Sequence, residues 1–162
     1  SEFVKQFQGD PHLAIRHVVG PRFMKSYSSP IVDADAAITY QVVAYEDNMA
    51  DIYAGVDVLI GRGGAGTIAD VATTGVPAIL IPWKDAADDH QSANVRYLSD
   101  NGAAILVDEV DVTNSLAKII VNLRSHPEEL EKISHQAYEM GTVNRQGKIA
   151  EVIKDVANRH VA

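Results

Sequence analysis

The sequence predicts a doubly wound α/β domain, a mostly parallel sheet with helices on both faces. Three observations carry that expectation. Short apolar runs rich in β-branched residues alternate with helical stretches along most of the 162 residues. Such alternation selects parallel pairing, because each parallel return needs a crossover that lays a helix on the sheet. Two central runs, Val56 to Ile60 (apolar but for Asp57) and Val76 to Pro82, have the character of strands covered on both faces. Glycine and proline punctuate the runs at Gly20-Pro21, Gly75 and Gly102.

Taken in order, Phe3, Val4 and Phe7 share a face and read as the last turns of a helix. A domain that opens in mid-helix is expected to be a fragment. Ser1-Glu2-Phe3 as an expression scar is the other reading, and both stay open. Leu13 to Val19 is a strand ending at Gly20-Pro21. Pro21 to Tyr27 fits a short helix, and Ser28-Ser29-Pro30 a loop. Ala37 to Ala44 alternates as a strand. Glu46-Asp47-Asn48 offers acidic and capping residues to a short helix from Met49 to Ala54. After the strand Val56 to Ile60, Thr67 to Thr74 is helical and stops at Gly75, a C-cap. Val76 to Pro82 is the next strand. Asp88 to Asn101 is a helix with Val95 and Leu98 inward, and Ala103 to Val107 is the last strand. Leu116, Ile119, Ile120 and Leu123 give the following helix one apolar face. Pro127, Glu128 and Glu129 suit the first turn of another, in which Tyr138 and Met140 read as packing residues. Gln146 to Asn158 makes the final helix.

The chain is the size of a single domain, and its composition, 46% hydrophobic and 22% charged, is that of a globular protein. A net charge of −8 argues against a nucleic-acid partner, although a local basic patch stays open. The lack of cysteine rules out disulfides and thiolate metal sites and fits a cytoplasmic location. No apolar run reaches the ~20 residues of a membrane span. His12, His17, His126, His135 and His160 show no H-x-x-x-H spacing with a carboxylate, so no metal is assigned.

Parallel sheets of this kind take ligands outside the carboxyl ends of their strands. The loops after Ala44, Ile60 and Pro82 are therefore the candidate site. In the second, Gly61-Arg62-Gly63-Gly64-Ala65-Gly66 joins a strand to a helix. Small residues let a backbone approach an anion closely, and free N–H groups at a helix start point at it. A tight turn alone would also explain the glycines. The stretch satisfies G-x-G-x-x-G, yet two strands precede it, whereas the dinucleotide fingerprint opens the first βαβ unit. No lysine follows the glycines as in a nucleotide-triphosphate P-loop.

The surroundings narrow the choice. Arg62-Gly63-Gly64-Ala65-Gly66-Thr67-Ile68-Ala69-Asp70, then Gly75-Val76-Pro77-Ala78-Ile79-Leu80-Ile81-Pro82, then Asp88-Asp89-His90-Gln91 with Asn94, stand in that order. Together they resemble the donor-binding half of glycosyltransferase family 28, in particular the members that add N-acetylglucosamine to lipid I in peptidoglycan synthesis. That pattern reads roughly R-[SG]-G-A-x-T-x-x-E, G-x-P-[AS], P, and N-N-H-Q-x-x-N. The resemblance is clear from about Tyr45 to Val107 and looser through the terminal helices. Asp70 stands where the family has glutamate, and Asp88-Asp89 where many members have Asn-Asn. An altered donor preference and simple drift both remain open.

The resemblance implies a GT-B enzyme, in which two Rossmann-like domains hold a nucleotide sugar between them. This chain would be the C-terminal domain, lacking the N-terminal acceptor domain and its own first strand and glycine-rich loop. The donor implied is UDP-N-acetylglucosamine, with a lipid-linked acceptor and the general base supplied by the N-terminal domain, no cofactor, and the whole enzyme peripheral on the inner face of the cell membrane. The backbone near Tyr45 and Glu46 would meet the uracil. Asp70 would accept from the ribose hydroxyls. The N–H groups of Gly63, Gly64, Ala65 and Thr67 would hold the diphosphate. His90, Gln91 and Asn94 would contact sugar or phosphate. Arg62 is left between ligand contact and a solvated loop charge, and Trp83 between a wall of the site and a cover for the sheet edge. Three other readings stay in play: a family-28 enzyme with a glycolipid or dolichol-type acceptor, a dinucleotide-binding module, and a nucleotide-sugar-binding protein without catalysis.

Overall fold

The computed structural model describes residues 2–31, 35–84 and 90–159. Along these run α1 (Glu2–Gln6), β1 (Ala14–Val18), α2 (Pro21–Met24), β2 (Thr39–Val43), α3 (Met49–Gly55), β3 (Leu59–Gly61), α4 (Ala65–Thr74), β4 (Ala78–Leu80), α5 (His90–Ser99) and β5 (Ile105–Leu106). A 3-10 turn (Glu109–Asp111) then leads to α6 (Val112–Ser125), α7 (Pro127–Met140), α8 (Thr142–Arg145) and α9 (Lys148–Arg159).

Each described strand pair is parallel, as the alternation requires, but the strands fall in two sheets, β1–β2 and β3–β4–β5. The middle strand shows why helices lie on both faces. Ala78, Ile79 and Leu80 are all buried. Side chains alternate along a strand, so Ala78 and Leu80 join a core with Val71, Val95, Leu98 and Ala137 of α4, α5 and α7. Ile79 points the other way, into a core with Phe7, Leu116, Ile120 and Leu123. The strand expected over Val56 to Ile60 is corrected: β3 begins at Leu59, and Ile60 is 39% exposed. β3 is an end strand among the described strands, yet Val56 and Leu59 pack against one core and Val58 against the other, so only the end of the run at Ile60 opens to solvent.

Local chemistry sets most boundaries. Gly75 adopts φ 75°, and its N–H bonds to the Val71 carbonyl at 2.8 Å, the left-handed cap expected after α4. Asn48 occupies the position before α3, but its amide bonds to the Asp51 carboxylate and caps no backbone group. The short helix expected over Pro21 to Tyr27 ends at Met24. α8 went unforeseen in the sequence. From it Arg145 donates through Nη1 to the carbonyls of Ala72 (3.1 Å) and Thr73 (3.3 Å), in the last turn of α4. A cation there satisfies orphan carbonyls and opposes the helix dipole. The same guanidinium lies 3.4 Å from the ring centroid of Tyr138, which is thus the seat of Arg145.

Across the β1–β2 sheet, the Tyr40 hydroxyl contacts His17 Nδ1 at 2.7 Å and the Tyr27 hydroxyl at 2.5 Å. Burial holds the His17 imidazole below its ordinary 6.5. The unfolded chain therefore takes up a proton that the folded chain refuses. Stability should be complete above pH 6.5 and fall as the pH drops from there through the lowered folded value. Melting curves between pH 7.5 and pH 5 are expected to show this loss in the wild type and a smaller one in His17→Gln; equal losses would remove His17 as the source.

Candidate functional site

Three loops meet at the carboxyl ends of β3, β4 and β5. The strand ladder holds them in register, with Ile81 N–H donating to the Gly61 carbonyl at 2.8 Å and Val107 N–H to that of Leu80 at 3.0 Å. The glycine loop lies at the first end and runs directly into α4. That helix starts at Ala65, two residues before the expected Thr67, so Ala65, Gly66 and Thr67 all lie in its first turn. Gly64 is the cap residue and no side chain caps the turn. The first N–H groups of a helix have no intrahelical acceptor, and here they belong to the small residues Ala65, Gly66 and Thr67. The helix start that the sequence reading offered as an anion cradle thus lies about half a turn earlier than expected.

Gly63 is buried against α5. A Cβ on it would stand 2.3 Å from Val95 Cγ2 and 2.9 Å from the Gln91 carbonyl oxygen. The same helix braces the loops with its polar face. Asn94 Nδ2 donates to the Gly63 carbonyl at 3.3 Å, and Gln91 Oε1 accepts from Trp83 N–H at 3.1 Å. Gln91 and Asn94 thus join α5 to two of the three loops. His90 opens the described part of α5, and Trp83 is 48% exposed. Asp88 and Asp89 lie outside the described residues. A groove of about 390 Å³ passes Ala65 and Asn94 and is lined further by Ile68, Ala69 and Tyr97.

Arg62 is neither free nor merely solvated. Its Nη2 lies 2.6 Å from Glu109 Oε1, in the turn after β5, and its Nη1 reaches the Ile81 carbonyl at 3.5 Å, just after β4. One side chain therefore spans all three loops. Asp70 is exposed on α4 and accepts a 2.9 Å bond from the Tyr53 hydroxyl of α3. Burial first, then this bond to the carboxylate, pushes the Tyr53 phenol up to about 12, so it remains a donor at neutral pH. Tyr45, 67% exposed, and Glu46 follow β2 in the other sheet, where the Glu46 carboxylate takes Arg16 Nε at 2.6 Å. The Glu46 side chain is thus committed to β1.

Tyr53 and Glu109 escaped the sequence reading. Their partners lie 17 and 47 residues away, and neither belongs to a local motif. Among the described residues no group of three or more His, Asp or Glu side chains could hold a metal ion, and no helix is long and apolar enough to cross a membrane.

Comparison with known proteins agrees with this arrangement. Residues 2–155 match the glycosyltransferase family 28 C-terminal domain. Relatives from Crocosphaera subtropica (35% identical over 72% of this chain and 34% of that protein) and Shewanella denitrificans (30% over 96% and 43%) are both named UDP-N-acetylglucosamine–N-acetylmuramyl-(pentapeptide) pyrophosphoryl-undecaprenol N-acetylglucosamine transferase. The chain thus spans less than half the length of these relatives. The crystal structure of Acinetobacter baumannii MurG superposes with a TM-score of 0.77 at 28% identity, over 94% of this chain and 47% of that one. A glycosyltransferase of kitacinnamycin shares the fold, with a TM-score of 0.64 at 21% identity over 93% of this chain and 37% of that one. With its parallel strands, covering helices and uncapped glycine loop, this chain belongs to glycosyltransferase family 28, as a C-terminal domain of the GT-B fold.

Proposed function

We propose that the chain is the donor-binding domain of an inverting N-acetylglucosaminyltransferase that converts lipid I to lipid II with UDP-N-acetylglucosamine. The observation that carries this reading is the uncapped start of α4 behind Gly63 and Gly64, a cradle for a diphosphate. Gly63, Gly64, Ala65 and Thr67 would offer N–H groups to the two phosphates. Asp70, held by Tyr53, would take the ribose hydroxyls, and the backbone at Tyr45 and Glu46 the uracil. His90, Gln91 and Asn94 would face the sugar or a phosphate.

In the reaction an acceptor hydroxyl attacks the anomeric carbon, its proton passes to a general base, and the bond to UDP breaks with inversion. Negative charge grows on the departing diphosphate, where oriented N–H groups stabilise it most. The base and the lipid-linked acceptor site would belong to an N-terminal domain, and the whole enzyme would work at the cytoplasmic face of the membrane. The described strands form two separate sheets, which fits a domain that carries a further strand in the longer protein.

Titrating isotope-labelled protein with UDP-N-acetylglucosamine is expected to shift the amide signals of Gly63 to Thr67 and Asp70, and NAD is not. Shifts with NAD and none with the UDP-sugar would overturn the proposal in favour of a dinucleotide module. Adding lipid I to the enzyme joined to its N-terminal domain then separates peptidoglycan synthesis from a glycolipid or dolichol-type acceptor.

A further inference from the structure

We infer that Glu109 is a positioning residue for the diphosphate site, acting through Arg62; the inference rests on the donor-binding reading above. Arg62 leaves the carboxyl end of β3 immediately before the cradle, and a free arginine there would sample many rotamers. Here its guanidinium is held at two points, by Glu109 Oε1 at 2.6 Å and by the Ile81 carbonyl at 3.5 Å. Those acceptors lie after β5 and β4, so the side chain is stretched across the mouth of the site.

A guanidinium has five N–H donors in a rigid fork, and these two contacts leave donors over for a phosphate oxygen. The Arg62 and Glu109 side chains are 52% and 39% exposed. Solvent screens a pair this open, so it adds little to stability. Its effect is on order: a long side chain already fixed loses less entropy when an anion binds. Glu109 is suited to this because only Val107 and Asp108 separate its turn from β5, and Val107 is itself tied to β4 through the Leu80 carbonyl at 3.0 Å.

The test titrates the full chain with UDP and with uridine, following amide shifts, in wild type, Glu109→Ala and Glu109→Gln. Loss of one preorganised side chain is expected to weaken UDP binding by about three- to tenfold in Glu109→Ala. Uridine, which lacks the phosphates, should bind wild type and variant equally. Glu109→Gln keeps an acceptor oxygen and should stay within about twofold of wild type for UDP. Unchanged or tighter UDP binding in Glu109→Ala would overturn the inference, the tighter result marking Glu109 as a competitor of the phosphates. Equal weakening toward uridine would overturn it too, showing a general loosening of the loops. Both outcomes leave the donor-binding reading intact, whereas a wild type that binds no UDP would remove both.

Discussion

Gly63→Ala is expected to lower the melting temperature by several degrees and to bring UDP binding below detection. The new methyl group would sit 2.3 Å from Val95 Cγ2 and 2.9 Å from the Gln91 carbonyl oxygen. Val95 is completely buried in a packed core, and the carbonyl belongs to the backbone of α5. The helix and the loop must therefore separate. Overpacking of this kind costs about 1–3 kcal/mol, and a domain of this size loses about 2–4 °C per kcal/mol. The separation also breaks the Asn94 bond to the Gly63 carbonyl and moves the cradle amides off their common target. Adding Val95→Ala removes the first clash but not the second, so stability should return only in part. Gly64 and Gly66 serve as controls, since a Cβ on either meets nothing within 4 Å. Alanine at these two positions should leave the fold intact. A Gly63→Ala protein that melts and binds like wild type would show that α5 does not press on the loop as described.

Asp70→Ala is expected to weaken UDP-N-acetylglucosamine binding by about ten- to a hundredfold, the range of a lost charge-assisted hydrogen bond. The melting temperature should hardly move, because the carboxylate is exposed and bonds only the Tyr53 hydroxyl within the described structure. Tyr53→Phe removes that orienting bond and keeps the carboxylate, so its effect on affinity should be smaller, about two- to fivefold. Asp70→Glu restores the residue type of the family pattern and should bind at least within an order of magnitude of wild type. A UDP analogue without its ribose hydroxyls supplies the decisive comparison: wild type and Asp70→Ala should bind it alike. If the analogue still discriminates between them, Asp70 acts through something other than the ribose.

Much of the layout of this candidate site was legible in the sequence because it is built from consecutive residues. Gly63 to Asp70 fill one turn and the start of one helix, so their order along the chain is nearly their order in space. Gln91 and Asn94 share a helix face by spacing alone. The start of α4 was placed half a turn late because Gly64 serves as a cap residue with no side chain to announce it. The edge position of β3 was hidden for a different reason: an apolar run looks the same at the end of a sheet as in its middle.

By itself the sequence determined the α/β class, the parallel pairing, the β4 core strand and the family, since each rests on periodicity or on a contiguous motif. The tertiary structure alone decided what the charged and phenolic side chains do. Whether Arg62 floats in solvent or spans three loops depends on Glu109, 47 residues away. Whether Asp70 is oriented depends on Tyr53 from another helix. Long side chains have many rotamers, and only the folded arrangement of their acceptors selects one.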